Sequence, residues 1–228
     1  MQHIWKRILA YLILAVMLLS LSSCRQLSEE YTQYTSLLAE THETVTAQMK
    51  DPSLTELPVQ YAGLLIHHDW NRSLTWEHAD YKSHDAYLQF VFDDETDRMQ
   101  GFRYYIFFEG DDRVKTALDV YDSLHKSASR EFGLHDRIFR NRADGSLGYT
   151  DSYAAYKGDK AEYLSYNQQL IDIWCLPVID DYTLRLSIRD VDSFPSSDRI
   201  TMILAEYWLE HDGLEALIRE KAVKETQP

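Results

Sequence analysis

Cysteine is nearly missing from this chain: Cys24 and Cys175 are the only two among 228 residues. At most one disulfide is available, so packing rather than crosslinking has to hold the fold. Cys175 lies in the strand-like run Ile171-Asp172-Ile173-Trp174-Cys175-Leu176, where a free thiol behaves as a small hydrophobe, and no cation stands beside it in sequence to make it reactive. Nucleophile signatures are missing too. There is no Gly-x-Ser-x-Gly elbow, no Ser-x-x-Lys at a helix start with its partner motifs, and no glycine loop that would cradle phosphate ahead of a helix. Internal repeats and low-complexity runs are also lacking.

Basic charge is scarce, with 23 Lys and Arg against 37 Asp and Glu for a net charge of −14. So acidic a surface repels phosphate backbones and anionic lipid headgroups, which excludes nucleic acid as a partner and favours solubility. The segment around His211-Asp212-Gly213 could join two helices like a DNA-binding pair, but residues 215–224 mix acids and bases, so it reads as a cap on the core.

Only one long hydrophobic run is present, Ile8 to Leu21, and it is shorter than the about 20 residues a membrane-spanning helix needs. Lys6 and Arg7 precede it, and Leu21-Ser22-Ser23-Cys24 closes it. This stretch resembles the signal peptide and lipobox of bacterial lipoproteins. The resemblance implies removal of residues 1–23, a diacylglyceryl group on the sulfur of Cys24, and Cys24 as the mature N-terminus. It also implies a chain anchored to the cell membrane or outer membrane by its acyl chains, facing away from the cytoplasm. Cys175 is then left without a disulfide partner, and the mature chain is more acidic still, because the removed segment carries Lys6 and Arg7 and no acid.

The expected organisation is a signal peptide over 1–23, a lipid-anchored helix and linker over 24–58, and one globular domain over 59–228. Leu27, Tyr31, Tyr34, Leu38, Val45 and Met49 recur mainly at helical spacing, which predicts an amphipathic helix over 27–50, folded back on the core in preference to standing free as a spacer. Strands are predicted over 61–68, 87–92, 102–109, 170–176 and 183–191, with 102–109 central because both its faces are apolar. A helix is predicted over 112–132 with Gly133 as its stop. The turn signals Asp144-Gly145 and Gly158-Asp159 predict a strand meander over 137–166. Ile200, Ile203, Leu204, Tyr207 and Trp208 predict a further helix. The sum is an α+β domain: a largely antiparallel sheet of about five to seven strands, helices packed on one face, and an amphipathic helix in front.

Two constellations carry the candidate chemistry. His67, His68, His78 and His84, with Asp69, Asp80 and Asp85 among them, have the density of a divalent-metal site, and a metal-dependent hydrolase is the enzyme such a site would make, with Glu77 as its base. Their spacing argues against it, since adjacent residues on a strand point to opposite faces and no two of these histidines stand at i, i+4 as in His-Glu-x-x-His. Otherwise no cofactor is expected. Tyr149, Tyr153, Tyr156, Tyr163 and Tyr166, in a chain with 16 tyrosines, form the candidate recognition surface. The expected function is a non-catalytic binding or interaction module of the cell envelope, its partner an envelope protein or glycan, with a purely structural spacer as the remaining alternative.

Overall fold

The computed structural model describes residues 34–49, 55–56, 74–133, 150–166, 168–176, 179–192 and 199–225. Six long strands make one antiparallel sheet: β2 (Leu74–Tyr81), β3 (His84–Phe92), β4 (Met99–Phe108), β6 (Gln169–Cys175), β7 (Tyr182–Asp192) and β8 (Arg199–Leu209). The two-residue strands β1 (Thr55–Glu56) and β5 (Thr150–Asp151) lie at the edges, in the order β1-β2-β3-β4-β8-β7-β6-β5, and β5 is parallel to β6. Among the described residues the helices are α1 (His42–Gln48), α2 (Arg113–Phe132), α3 (Lys160–Ser165) and α4 (His211–Glu225). The fold is therefore α+β. Two three-stranded meanders, β2-β3-β4 followed by α2 and β6-β7-β8 followed by α4, meet along β4 and β8.

Period two on the strands places the core. Leu88, Phe90, Phe102, Tyr104, Ile106, Ile203, Ala205, Tyr207, Leu184, Leu186, Ile188, Leu170 and Trp174 share one face through the register, and all are buried. The stripe Ala117, Tyr121, Leu124 and Ala128 of α2 closes over them, and Leu164 of α3 and Leu214 of α4 join the same core. The segment ahead of α1 belongs to it as well. Leu37, Leu38, Val45 and Met49 are buried there, and the Tyr34 ring meets Phe90 and Phe102 edge-on. Within the predicted 27–50 helix, the described part turns at Ala39 (φ 63°) and restarts at α1, with the Thr41 hydroxyl accepting from the Thr44 N–H as its N-cap. α2 has the predicted bounds, and Gly133 stops it at a φ of 97° that favours glycine.

Three expectations are corrected. Residues 200–208 form strand β8, not a helix: hydrogen-bonded on both edges at the centre of the sheet, it carries apolar side chains on both faces, and such a continuous run satisfies a helical spacing by default. The expected meander is, in its described part, β5, a turn and α3. Asp159 is the N-cap of α3, its carboxylate accepting from the N–H groups of Ala161 and Glu162, and not a hairpin residue. Finally, residues 74–83, where no strand is predicted, form β2 and its hairpin turn to β3. The hairpin turn has Lys82 and Ser83 at φ 52° and 68° where a two-residue turn usually carries Asn-Gly, and the Ser83 N–H bonds the Asp80 carboxylate at 3.0 Å. The predicted strand over 61–68 and the Asp144-Gly145 turn lie outside the described residues.

Candidate functional site

Among the described residues, no helix lies on the second face of the sheet. The register sets out its side chains in rows. Tyr87, Tyr105, Leu204, Ser187 and Ile171 are neighbours across five strands; Phe107, Met202, Arg189 and Gln169 form the next row; Gln89, Arg103, Glu206, Arg185 and Ile173 the row on the other side. The Tyr87 and Phe107 rings meet edge-on at 5.2 Å, and Tyr105 and Phe107 lie parallel at 6.3 Å. The face is aromatic and aliphatic and bears three arginines, a composition typical of binding surfaces; Gln89, Tyr105, Ser187 and Met202 are buried in it, and Tyr87, Phe107, Leu204, Ile171 and the arginines are half-buried.

The arginines are not equivalent. Arg103 donates through Nε to Glu206 Oε1 at 2.5 Å and lies over the Trp208 ring at 5.1 Å. Arg185 reaches Glu206 Oε2 at 3.5 Å and donates to Glu210 Oε1 at 2.5 Å. Burial pulls the Arg103 pKa down, but Glu206 and Tyr105 together outweigh it and the net shift is upward. Arg189 has no such partner. Its cross-strand neighbours are Gln169 and Met202, and its Nε is buried without a hydrogen-bond acceptor among the described residues. Burial lowers its pKa, opposed only by nearby Tyr105. A buried donor without an acceptor costs about 1–3 kcal/mol, and a charged one more. Tyr105 itself is 3% exposed, donates to Gln89 Oε1 at 3.1 Å, and is pushed up to about 12, first of all by burial.

A second polar cluster is sealed inside the helix-covered face. Ser152 Oγ donates to Asp172 Oδ1 at 2.6 Å, and His125 Nε2 stands 3.2 Å from Asp172 Oδ2. Serine and histidine both engage the carboxylate, which fixes β6 to α2 and to the turn after β5.

The predicted tyrosine surface is distributed differently. Tyr153 is turned into the core, its hydroxyl donating to Asp122 at 2.7 Å, its ring 4.1 Å from Tyr121 and beneath the Lys160 ammonium at 4.5 Å. Tyr156 and Tyr163 pack on each other at 4.6 Å, and Tyr166 is 66% exposed. Tyr149 lies outside the described residues, as do His67 and His68. His78 sits at a bulge with φ 60°, its Nδ1 3.2 Å from Asp85 Oδ2, on the helix-free face where Asp80 pairs with Asp85. His84 pairs with Tyr81, whose ring stacks on core Tyr104, so the register puts it on the opposite face. The sheet therefore separates these two histidines, and among the described residues no three ligating side chains converge.

Arg189 is missed by sequence reasoning although it stands in the predicted strand over 183–191, on the same side as Arg185 and Ser187. Its significance depends on which residues lie across from it on β8, a strand the periodicity misassigns. No helix among the described residues is long and apolar enough to cross a membrane. Compared with known proteins, the chain matches no family model, no curated protein and no solved structure.

Proposed function

We propose that this protein is a lipid-anchored, extracytoplasmic binding module that uses the helix-free face of its sheet as the binding surface and carries out no catalysis. The observation that supports the binding role is that face: half-buried aromatic and aliphatic side chains with three arginines, one of them lacking an acid among the described residues. The anchor rests on Leu21-Ser22-Ser23-Cys24 behind the run Ile8 to Leu21. Two acyl chains at Cys24 contribute about 0.8 kcal/mol per buried methylene, which makes attachment lasting where one chain would be marginal. A module so tethered meets envelope proteins and glycans at raised local concentration without additional contacts.

Replacing Cys24 with alanine tests the anchor. Cells expressing Cys24→Ala and fed a labelled fatty acid should accumulate an uncleaved, unlabelled precursor, whereas acyl labelling of that variant at the wild-type level rejects the lipoprotein reading.

A further inference from the structure

On this chain acid is plentiful, 37 residues against 23 basic ones, yet among the described residues none is placed beside Arg189. The contrast lies within one sheet face. Arg103 and Arg185 flank Glu206 across the ladder, while the equivalent slots beside Arg189 hold Gln169 and Met202. We infer that Arg189 is an anion-recognition residue, and that the face takes an amphipathic monocarboxylate, with the carboxylate on Arg189 and an aromatic or aliphatic body along the half-buried Leu204, Phe107 and Ile171.

The chemistry of the surroundings defines this class. A guanidinium offers a planar fork of donors that matches a carboxylate in two parallel hydrogen bonds, and a half-buried position strengthens such bonds by limiting water's competition. Gln169, half-buried and directly across the ladder, adds a neutral amide donor beside the fork. Tyr105 is buried and committed to Gln89, so it offers the ligand no free hydroxyl. The apolar neighbours extend away from the charge, which suits a ligand with one charged end. The net charge of −14 disfavours polyanions, because every further negative group meets the field of the whole chain, whereas a single carboxylate is neutralised at its own contact.

The inference rests on the proposed binding role of this face but not on its membrane location, and one experiment separates the two. Full-length protein in lipid nanodiscs is dialysed to equilibrium against naphthoate and, separately, against neutral naphthylmethanol, with empty nanodiscs as the blank. Naphthoate should bind saturably and at least about tenfold more tightly than the alcohol, the factor expected for one charge-assisted contact. Arg189→Met, which keeps an unbranched apolar stem, should remove that advantage and leave the alcohol unchanged, and Arg189→Lys should restore part of it. The heat-unfolding midpoint without probe gives a second readout. Arg189→Met should unfold no lower than wild type, because it removes an uncompensated buried charge, and a clear fall in midpoint would identify a structural arginine and reject the inference. Equal affinity of acid and alcohol would overturn the anion site while keeping the face as a binding surface. No saturable binding of either probe would overturn both.

Discussion

Asp93 shows how much of one residue's chemistry is internal to its own turn. At the tip between β3 and β4, its Oδ1 accepts from the N–H of Glu95 at 3.2 Å, the N–H of Thr96 at 2.9 Å and the Thr96 hydroxyl at 2.8 Å. Asp93, Asp94 and Asp97 crowd this tip, and the fold commits the first of them to holding the turn. Burial pushes the Asp93 carboxyl up, but the bonds from Thr96 and Glu95 outweigh it and leave the pKa below the ordinary 3.8. A native carboxyl that binds its proton less readily than the unfolded one stabilises the fold above the unfolded pKa, and that stability is lost as pH falls through the folded value. Asp93→Ala should therefore be less stable than wild type at pH 7 by at most about 1 kcal/mol, since the tip is exposed and screened. The gap should close below the ordinary carboxylate range. Thermal unfolding of both proteins across an acid series measures it, and a constant gap would assign the effect to something other than the carboxylate. Arg189 marks the limit of residue-level reading: arginine on the polar side of a strand is visible in sequence, but the absence of its acid is not.

At the scale of elements, strong local signals are reliable and continuous ones are not. The apolar stripe of α2 followed by Gly133, and the alternation of Leu184, Leu186 and Ile188 on β7, each fit one period only, and both elements are where the sequence places them. β8 fits two periods because it is buried on both faces between β4 and β7, so tertiary pairing decides its state. The same pairing explains Gly101, opposite Trp208 at the β4–β8 seam. A Cβ built there would stand 2.4 Å from the Tyr207 carbonyl oxygen, a backbone atom that moves only if the two strands separate. Gly101→Ala should destabilise the protein by about 1–3 kcal/mol in urea unfolding, the usual penalty of overpacking. An unchanged midpoint would mean that the seam is looser than the geometry describes.

At the scale of the molecule, the two meanders are locked to the helical layer by polar pins as well as by the core. Asp190 of β7, 1% exposed, accepts from Arg113 of α2 through Nε at 2.9 Å and Nη2 at 3.0 Å, and from the Thr201 hydroxyl at 2.8 Å. The Arg199 Nε stands 3.0 Å from its second oxygen. One carboxylate thus orders the start of α2, the end of β7 and the start of β8. Asp190→Asn leaves two guanidinium groups around a neutral amide, and breaking a buried pair in this way costs about 3–5 kcal/mol. The expected result is a large drop in the urea midpoint with α2 loosened, read as hydrogen exchange rising through its first turns. Wild-type protection of those amides would show that the apolar stripe holds α2 without the pin. Lys221 of α4 paired with Glu40, and Lys82 of the β2–β3 turn with Glu131 at 3.0 Å, are lesser pins of the same kind.

What the sequence by itself determined is what local chemistry dictates. The α+β class with an antiparallel sheet, the course of α2, and the faces of β3, β4 and β7 follow from side-chain period and from turn and stop residues, which act over a few positions. Only the tertiary structure decided the strand identity of β8, the meeting of the two meanders at β4 and β8, the separation of His78 from His84 by the thickness of the sheet, and the isolation of Arg189. The physical reason is one of range. Periodicity says which face a side chain occupies, but which side chains share that face is set by hydrogen-bonded register between strands roughly a hundred positions apart, and that register is a property of the whole sheet.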